Sequence, residues 1–418
     1  MTFDFRGSKV TRVVNGPCSG NTTPGPEPVN DGSEPVNAGD HATPGALDGL
    51  KVLDFSRVLA GPFATMMLGD LGGDVVKVER PDGGDETRGW GPPFDERGQA
   101  TYFLSVNRNK RSLVLDLRDD ADLERARELA LKADVLIENF RPGLMPDLSL
   151  AYEDLQPENP GLVYCSITGF GPDQGARLPG YDLLVQALGG LMSITGEAGR
   201  DPQKVGVAVV DILTGLFATS GILAALRHRD RSGEGQKVEV SLLASLLAAL
   251  VNQGSAYTAG GVVPHRMGNA HPSISPYELY QAAHGQLVIA VGNDRQFRAL
   301  CEAIGRPELA GDARFATNTD RVANRKELRE ELDRALREQP ADHWSEVLTA
   351  ARVPAGPVND IGGAFRLARE LGLEPVVEVP NGDGPATPLT RNAITLSRTP
   401  ASYRSGPPAL GEPGAAEW

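Results

Sequence analysis

The sequence predicts an α/β protein built on a mainly parallel, doubly wound sheet. Two observations predict it: short β-rich runs alternate with helical ones, and small and basic residues gather where the strands end. Organised sequence begins with LDGL at 47–50 and enters a first strand over 51–55 (KVLDF). A helix over 63–71 (FATMMLGDL) separates it from a strand over 75–79 (VVKVE). Strand 112–117 (SLVLDL) leads to a helix over 121–132 (ADLERARELALK), and strand 134–138 (DVLIE) follows. A short helix over 152–156 then precedes strand 162–168 (LVYCSIT). Alternation of this kind requires right-handed crossovers, and ligands of such sheets sit in loops at the carboxyl ends of the strands.

A longer helix is predicted over 212–228, closed by the turn cluster RDRSGEG at 229–235, before a strand over 237–240. An apolar helical run over 241–251, a Gly-rich irregular stretch over 259–276 and a strand over 286–292 come next. Charged amphipathic helices are expected over 294–304 and 324–337. The composition changes near 236, which marks a smaller domain over 236–344. The large domain then comprises 47–235 and the returning segment 345–418. Residues 1–46 are rich in Gly, Pro, Asn and Ser and repeat the string EPVN at 27–30 and 34–37. Too little apolar surface is available there to offset ordering, so a flexible extension is expected.

The 418 residues carry a net charge of -14, which argues against nucleic acid as the main partner. No uninterrupted apolar stretch approaches bilayer-spanning length, and no secretory signal pattern opens the chain. The three cysteines, Cys18, Cys165 and Cys301, are far apart and lack metal-ligand spacing. Free thiols in a reducing cytoplasm, no membrane and no metal site are therefore expected. Neither a GxGxxG after the first strand, nor a GxxxxGK[ST] loop, nor a GxSxG elbow occurs.

The first strand instead runs into DFSRVLAGP at 54–62, where Ala60 and Gly61 let a bulky ligand approach the start of a helix. An ordinary βα turn would look the same. Basic residues cluster at later strand ends: Lys77, Arg80, Arg88, the NRNKR run at 107–111, and Arg141 after Asn139 and Phe140. In an acidic protein this points to a pocket for a polyanion, with Phe140 offering a stacking face, although solvated strand ends also carry charge. Asp211 interrupts the apolar run GVAVVDILTG at 206–215. By itself it reads as the N-cap of the helix that follows or as a reactive carboxylate.

The segments LDGLKVLDFSRVLAGPFATMMLGDLGGDVVKVERPDGGDETRGW, NKRSLVLDL, DVLIENFRPG, SITGFG, GYDLLVQALGGLMSITG, RMGNAHPSISPYELY and VPAGPVND together resemble the class III CoA-transferases. That family includes formyl-CoA transferase, carnitine CoA-transferases and α-methylacyl-CoA racemase. The resemblance covers roughly residues 47–400 and is closest to the succinate–hydroxymethylglutarate CoA-transferase branch. It implies a Rossmann-like large domain, a smaller α+β domain and an interlocked homodimer. It further implies coenzyme A as substrate with no tightly bound cofactor, and acyl-CoA and small carboxylic acids as partners.

In that family the acid in the Asp211 slot is the nucleophile, passing through aspartyl anhydride and aspartyl-CoA thioester intermediates. The resemblance carries CoA binding onto Arg57, Val58, Ala60, Arg80, Leu115, Asn139 and Phe140. Two positions depart from the family's pattern: Arg57 stands where His is frequent, and Asp147 stands near where a basic residue is frequent, changes for which Arg141 or Arg111 is expected to compensate. Racemase relatives carry His in the slot of Tyr181, and a tyrosine hydroxyl holds its proton too tightly to shuttle it near neutrality. Transfer is therefore the leading reading, with an acyl-CoA epimerase or a catalytically idle CoA-binding protein as the alternatives. Tyr181 and Asp182 are expected to shape the substrate site. The segment HRMGNAHPSISPY at 265–277 resembles a mobile loop near the acyl group. On it Arg266 is expected to anchor a second carboxylate, Gly268 and Asn269 to give backbone freedom, and His271 to orient a carboxylate.

Overall fold

The computed structural model describes residues 44–382, 384–411 and 418. The extension expected over 1–46 lies outside the described residues up to 43, as does most of the C-terminal string LGEPGAAEW. Six parallel strands form the main sheet: β1 (Lys51–Asp54), β2 (Asp74–Glu79), β3 (Lys110–Val114), β4 (Val135–Glu138), β5 (Val163–Thr168) and β6 (Lys237–Ser241). Their order is β3-β2-β1-β4-β5-β6. In this order the chain reverses direction between β1 and β4, and a crevice opens there beyond the strand ends.

Side chains alternate across the sheet because successive residues of a strand point to opposite faces. Val52, Val75 and Val135 enter one buried layer, and their neighbours Leu53, Val76 and Leu136 enter the other. Helix α1 (Ala60–Asp70) covers the first layer through Ala64 and Leu68. Helix α2 (Asp120–Lys132) covers the second, and the Asp119 carboxylate caps it by accepting from the backbone of Ala121 and Asp122. Strand β3 starts two residues earlier than its apolar run predicts. Lys110, which reads as part of a basic cluster for a polyanion, is buried and pairs with Asp54 instead.

Helix α3 (Asp182–Leu188) leads towards the long α4 (Val209–Ser232). At 24 residues, α4 is long and apolar enough to cross a bilayer, contrary to the sequence expectation. Here it buries Val210, Thr214, Ala218, Ile222 and Ala225 inside the fold, and it ends at Gly233 with φ of 77°. The strand β6, together with Leu242 and Leu246 of α5 (Leu242–Ala249), extends the large sheet and its core beyond residue 236. Helix α6 (Val251–Thr258) follows.

A second core surrounds the antiparallel strands β7 (Tyr277–Gln281), β8 (Gln286–Ala290) and β9 (Ala355–Pro357). Helices α7 (Asp294–Ala303), α8 (Arg325–Leu336) and α9 (Ala341–Ala350) supply Phe297, Leu300, Leu332, Trp344 and Leu348 to it. Strands β10 (Val376–Asn381) and β11 (Gly384–Thr390) form an antiparallel pair. The chain then returns to the large sheet. Asp70 at the end of α1 receives Arg108 and Asn392 side chains at 2.6–2.9 Å, and Arg404 donates to the carbonyls of Gly69 and Gly73.

Below the crevice, Asp54 is wholly buried. Burial alone would raise its pKa, but Lys110 (3.2 Å) and Lys77 hold it below the usual carboxylate range, and Ser56 and Thr65 donate hydrogen bonds to it. Burial and the nearby Lys77 push Lys110 down to about 8, partly offset by Asp54. Removing one member of a buried charge cluster leaves the others uncompensated. Asp54→Asn is expected to lower unfolding free energy by about 3–5 kcal/mol in urea titrations; a loss below about 1 kcal/mol would contradict this role.

Candidate active site

The loop from β1 to α1 is fixed across the crevice by an amide. The Asn139 side chain accepts from the backbone N–H of Arg57 at 2.9 Å and donates to its carbonyl at 2.8 Å. Both polar ends of Asn139 are thus occupied by the loop, joining the ends of β1 and β4 at the reversal of the sheet. The Arg57 guanidinium lies 5.2 Å over the Phe140 ring and pairs with Glu86 at 2.7 Å. Arg80 reaches the same carboxylate at 3.7 Å and donates to the Gly84 carbonyl at 3.0 Å.

Arg57 and Phe140 stand between two adjoining cavities and line both. One, of about 270 Å³, is mainly apolar and includes Phe55, Val78 and Leu115, with Arg80 and Arg118 among its charged lining residues. The other, of about 540 Å³, holds Val58, Ala60, Asn139, Arg141, Tyr181, Asp182 and Asp211. Nine of the eleven residues expected at the CoA and catalytic positions or at Tyr181 and Asp182 therefore meet in the second cavity or at its boundary, and the other two, Arg80 and Leu115, line the first. Arg141 is exposed and lies 3.9 Å from Asp147.

Asp211 occupies the first turn of α4, whose N-cap is Ala208. The cap reading of Asp211 is thereby corrected. Asp182, the first residue of α3, supplies the missing acceptor from outside the helix. Its Oδ1 accepts from the backbone N–H of Val210 at 2.8 Å and of Asp211 at 3.3 Å. Its Oδ2 accepts from Gln186 at 2.6 Å, and Gln186 in turn accepts from the Val205 backbone at 2.9 Å. Asp182 does not cap its own helix. It ties α3, the 205–211 segment and the start of α4 together. The Asp211 side chain therefore takes no part in capping and faces the cavity.

Burial, and then the charge of Asp182, push Asp211 up to about 7. The positive end of α4 acts in the opposite sense but is partly answered by Asp182. Behind the cavity wall, the Tyr102 hydroxyl is pushed up to about 12, first by burial and then by Asp211, Asp182 and Asp85. Tyr102 packs edge-on against Trp90 at 5.4 Å, and Trp90 lines the cavity.

The expected 265–277 loop residues do not join this cavity. Arg266 donates to the Arg200 carbonyl at 3.0 Å, and the Gly268 N–H donates to the Gly196 carbonyl. Gly268 and Asn269 line a separate polar cleft of about 360 Å³ with Glu278 and Arg329. His271 accepts from the Ser273 backbone and packs against Tyr277. Sequence reasoning missed Trp90, Tyr102, Arg118 and Arg177. The first two lie near GDETRGW and TYF, strings whose irregular spacing gives no helix or strand face to read. Arg177, in the loop GARLPG, lines the Asp211 cavity and makes no hydrogen bond or ion pair with any described residue.

The family model for CoA-transferase family III matches residues 47–413. The succinate–glutarate CoA-transferase of Agrobacterium fabrum is 46% identical over 88% of this chain and 93% of its own. Human succinyl-CoA:glutarate CoA-transferase is 40% identical over 88% of this chain and 84% of its own. The acetyl-CoA:oxalate CoA-transferase of Acetobacter aceti is 41% identical over 89% and 95%. Among solved structures, a CAIB/BAIF family protein from Brucella suis has a TM-score of 0.80 and 44% identity, covering 89% of this chain and 98% of that one.

The charge arrangement makes a measurable claim. In protein labelled with carbon-13 at aspartate carboxyls, the signal lost in Asp211→Asn should titrate with a midpoint near 7. Asp182→Asn keeps an acceptor oxygen but removes the like charge, so it should move that midpoint to lower pH. A midpoint unchanged or raised in Asp182→Asn would contradict the coupling.

Proposed function

The chain belongs to CoA-transferase family III, and from that premise we propose that it moves CoA from succinyl-CoA or a similar acyl-CoA to a small carboxylic acid through Asp211. The observation that carries this reading is the half-buried Asp211 carboxylate, raised to about 7, in a cavity continuous with the Arg57–Phe140 boundary. A carboxylate of raised basicity is a stronger nucleophile and still substantially ionised near neutral pH. The mainly apolar cavity with Arg80 and Arg118 suits the adenine nucleotide end of CoA, and the wider one suits the thioester end.

The exchange then needs no external proton source. An Asp211 oxygen attacks the thioester carbonyl, forming a mixed anhydride and expelling CoA thiolate. The thiolate attacks the Asp211 carbonyl of the anhydride, giving an aspartyl-CoA thioester and releasing the donor acid. The acceptor carboxylate attacks that thioester, forming a second anhydride and freeing the thiolate again. Thiolate attack on the acceptor's carbonyl yields the new acyl-CoA and restores the aspartate. Tyr181 is exposed at the cavity mouth and brings no second base to Asp211, which favours transfer over epimerisation.

Relatives at 40–46% identity named for succinate and glutarate support a dicarboxylic substrate. Arg177 is the cavity arginine whose charge meets no described carboxylate, whereas Arg57 pairs with Glu86. It takes the role of anchor for the distal carboxylate, in place of Arg266. The assembly is a homodimer in this reading. Exposed Phe217, Leu247, Val251 and Tyr257 on α4, α5 and α6 form an apolar surface for a second copy.

Hydroxylamine with an acyl-CoA donor should convert Asp211 to a hydroxamate, detected on its peptide. Asp211→Ala should neither be modified nor turn over; trapping at another residue would sink the assignment. Arg177→Ala should raise the acceptor KM about tenfold or more for dicarboxylic acids, the loss of one charged hydrogen bond, with monocarboxylic acids unaffected. Equal effects on both acid classes would place Arg177 elsewhere.

A further inference from the structure

Val58 lines the Asp211 cavity in a backbone conformation that a β-branched residue does not take unaided: its φ is +69°. Left-handed backbone at such a residue persists only where the surroundings impose it. Side chains impose it here. The Val58 N–H donates to both oxygens of Asp85, at 3.2 and 3.4 Å. The Lys77 ammonium donates to the Ser56 carbonyl at 2.7 Å and pairs with Asp85 at 3.0 Å. The Lys77 and Asp85 side chains are fully buried, and Thr87 fixes Asp85 further through its N–H at 3.0 Å and its hydroxyl at 2.7 Å. Residues on either side of Arg57 are therefore gripped by one ion pair, while Asn139 grips Arg57 itself.

We propose that Asp85, braced by Lys77, is a positioning residue that holds Val58 left-handed and thereby sets the wall of the Asp211 cavity. Asp85 borders the smaller cavity and not the one that holds Asp211. It acts through the backbone of Val58, which lies on the cavity surface with Leu59 and Ala60. Without the grip, residue 58 relaxes to negative φ and the loop from β1 to α1 changes course. The cavity then no longer matches the acyl-CoA that the proposed function places there, and the inference rests on that reading.

The interaction makes Asp85 matter more when residue 58 is valine than when it is glycine, because glycine takes positive φ without constraint. The test is a double-mutant cycle on the full chain: wild type, Asp85→Asn, Val58→Gly and both together, with kcat/KM measured for succinyl-CoA and glutarate. Asp85→Asn should reduce kcat/KM about tenfold or more with Val58 present, and by a factor at least about threefold smaller with glycine at 58. A purely structural role for Asp85 would give the same loss in both backgrounds, and that result overturns the proposal. So does wild-type kcat/KM in Asp85→Asn. Should Asp85→Asn fail to fold, Thr87→Val removes only the hydroxyl bracing Asp85 and should show the same dependence on residue 58; equal losses there also overturn it. Wild-type protein that folds but turns over no acyl-CoA donor overturns the functional reading and this inference together. Turnover with equal losses overturns this inference alone.

Discussion

The site depends on one carboxylate that serves another element's helix. Asp182 sits at the start of α3, but its Oδ1 receives the N–H groups that open α4. A helix start needs an acceptor for its unpaired N–H groups, and the residue at the N-cap, Ala208, has none to offer. Supplying it from Asp182 leaves the Asp211 side chain uncommitted. It also places a second negative charge close to the first. Burial, and then that charge, raise the Asp211 pKa to about 7, away from the range of a solvated aspartate. Gln186 extends the same tie to Val205, so the approach to α4 is held from two sides.

The rest of the site is positioned by the parallel sheet. Its reversal between β1 and β4 opens the crevice, and Asn139 bridges that reversal through the backbone of Arg57. The buried charges below, Asp54 with Lys110 and Lys77 with Asp85, hold the strand ends and the loop together where no strand pairing reaches. Polar side chains buried under a loop are costly to arrange. They give the loop a single course, which apolar packing alone specifies less sharply.

Much of this was legible in the sequence because it followed from periodicity. The KVLDF, VVKVE and DVLIE runs fixed β1, β2 and β4 to within a residue or two, since a strand buried on both faces must be nearly continuous in apolar residues. Lys110 reads as part of a basic cluster for a polyanion, because nothing in the sequence shows that its partner is Asp54, 56 residues earlier. Asp211 stands out in the sequence as an acid in an apolar run, but the acceptor for the start of α4 is Asp182. Helix capping is usually local, and nothing in the spacing of residues 182 and 211 shows that they meet. Arg177 and Trp90 were not legible at all. Both lie in loops, where only the fold decides which side chains share a cavity. The family resemblance implies the catalytic role proposed for Asp211, and the geometry leaves its side chain uncommitted to capping.

The account stands on a covalent bond between substrate and Asp211, and oxygen bookkeeping tests it directly. The acceptor acid, labelled with oxygen-18 in its carboxylate, is turned over with an unlabelled acyl-CoA donor, and the peptide containing residue 211 is then weighed. The anhydride route exchanges one aspartate oxygen for one acceptor oxygen in each cycle, so that peptide should gain one oxygen-18 at Asp211 after a single turnover and up to two after many. Direct attack of the acceptor on the donor thioester never involves the enzyme's oxygens. An Asp211 peptide of unchanged mass after many turnovers would contradict the account.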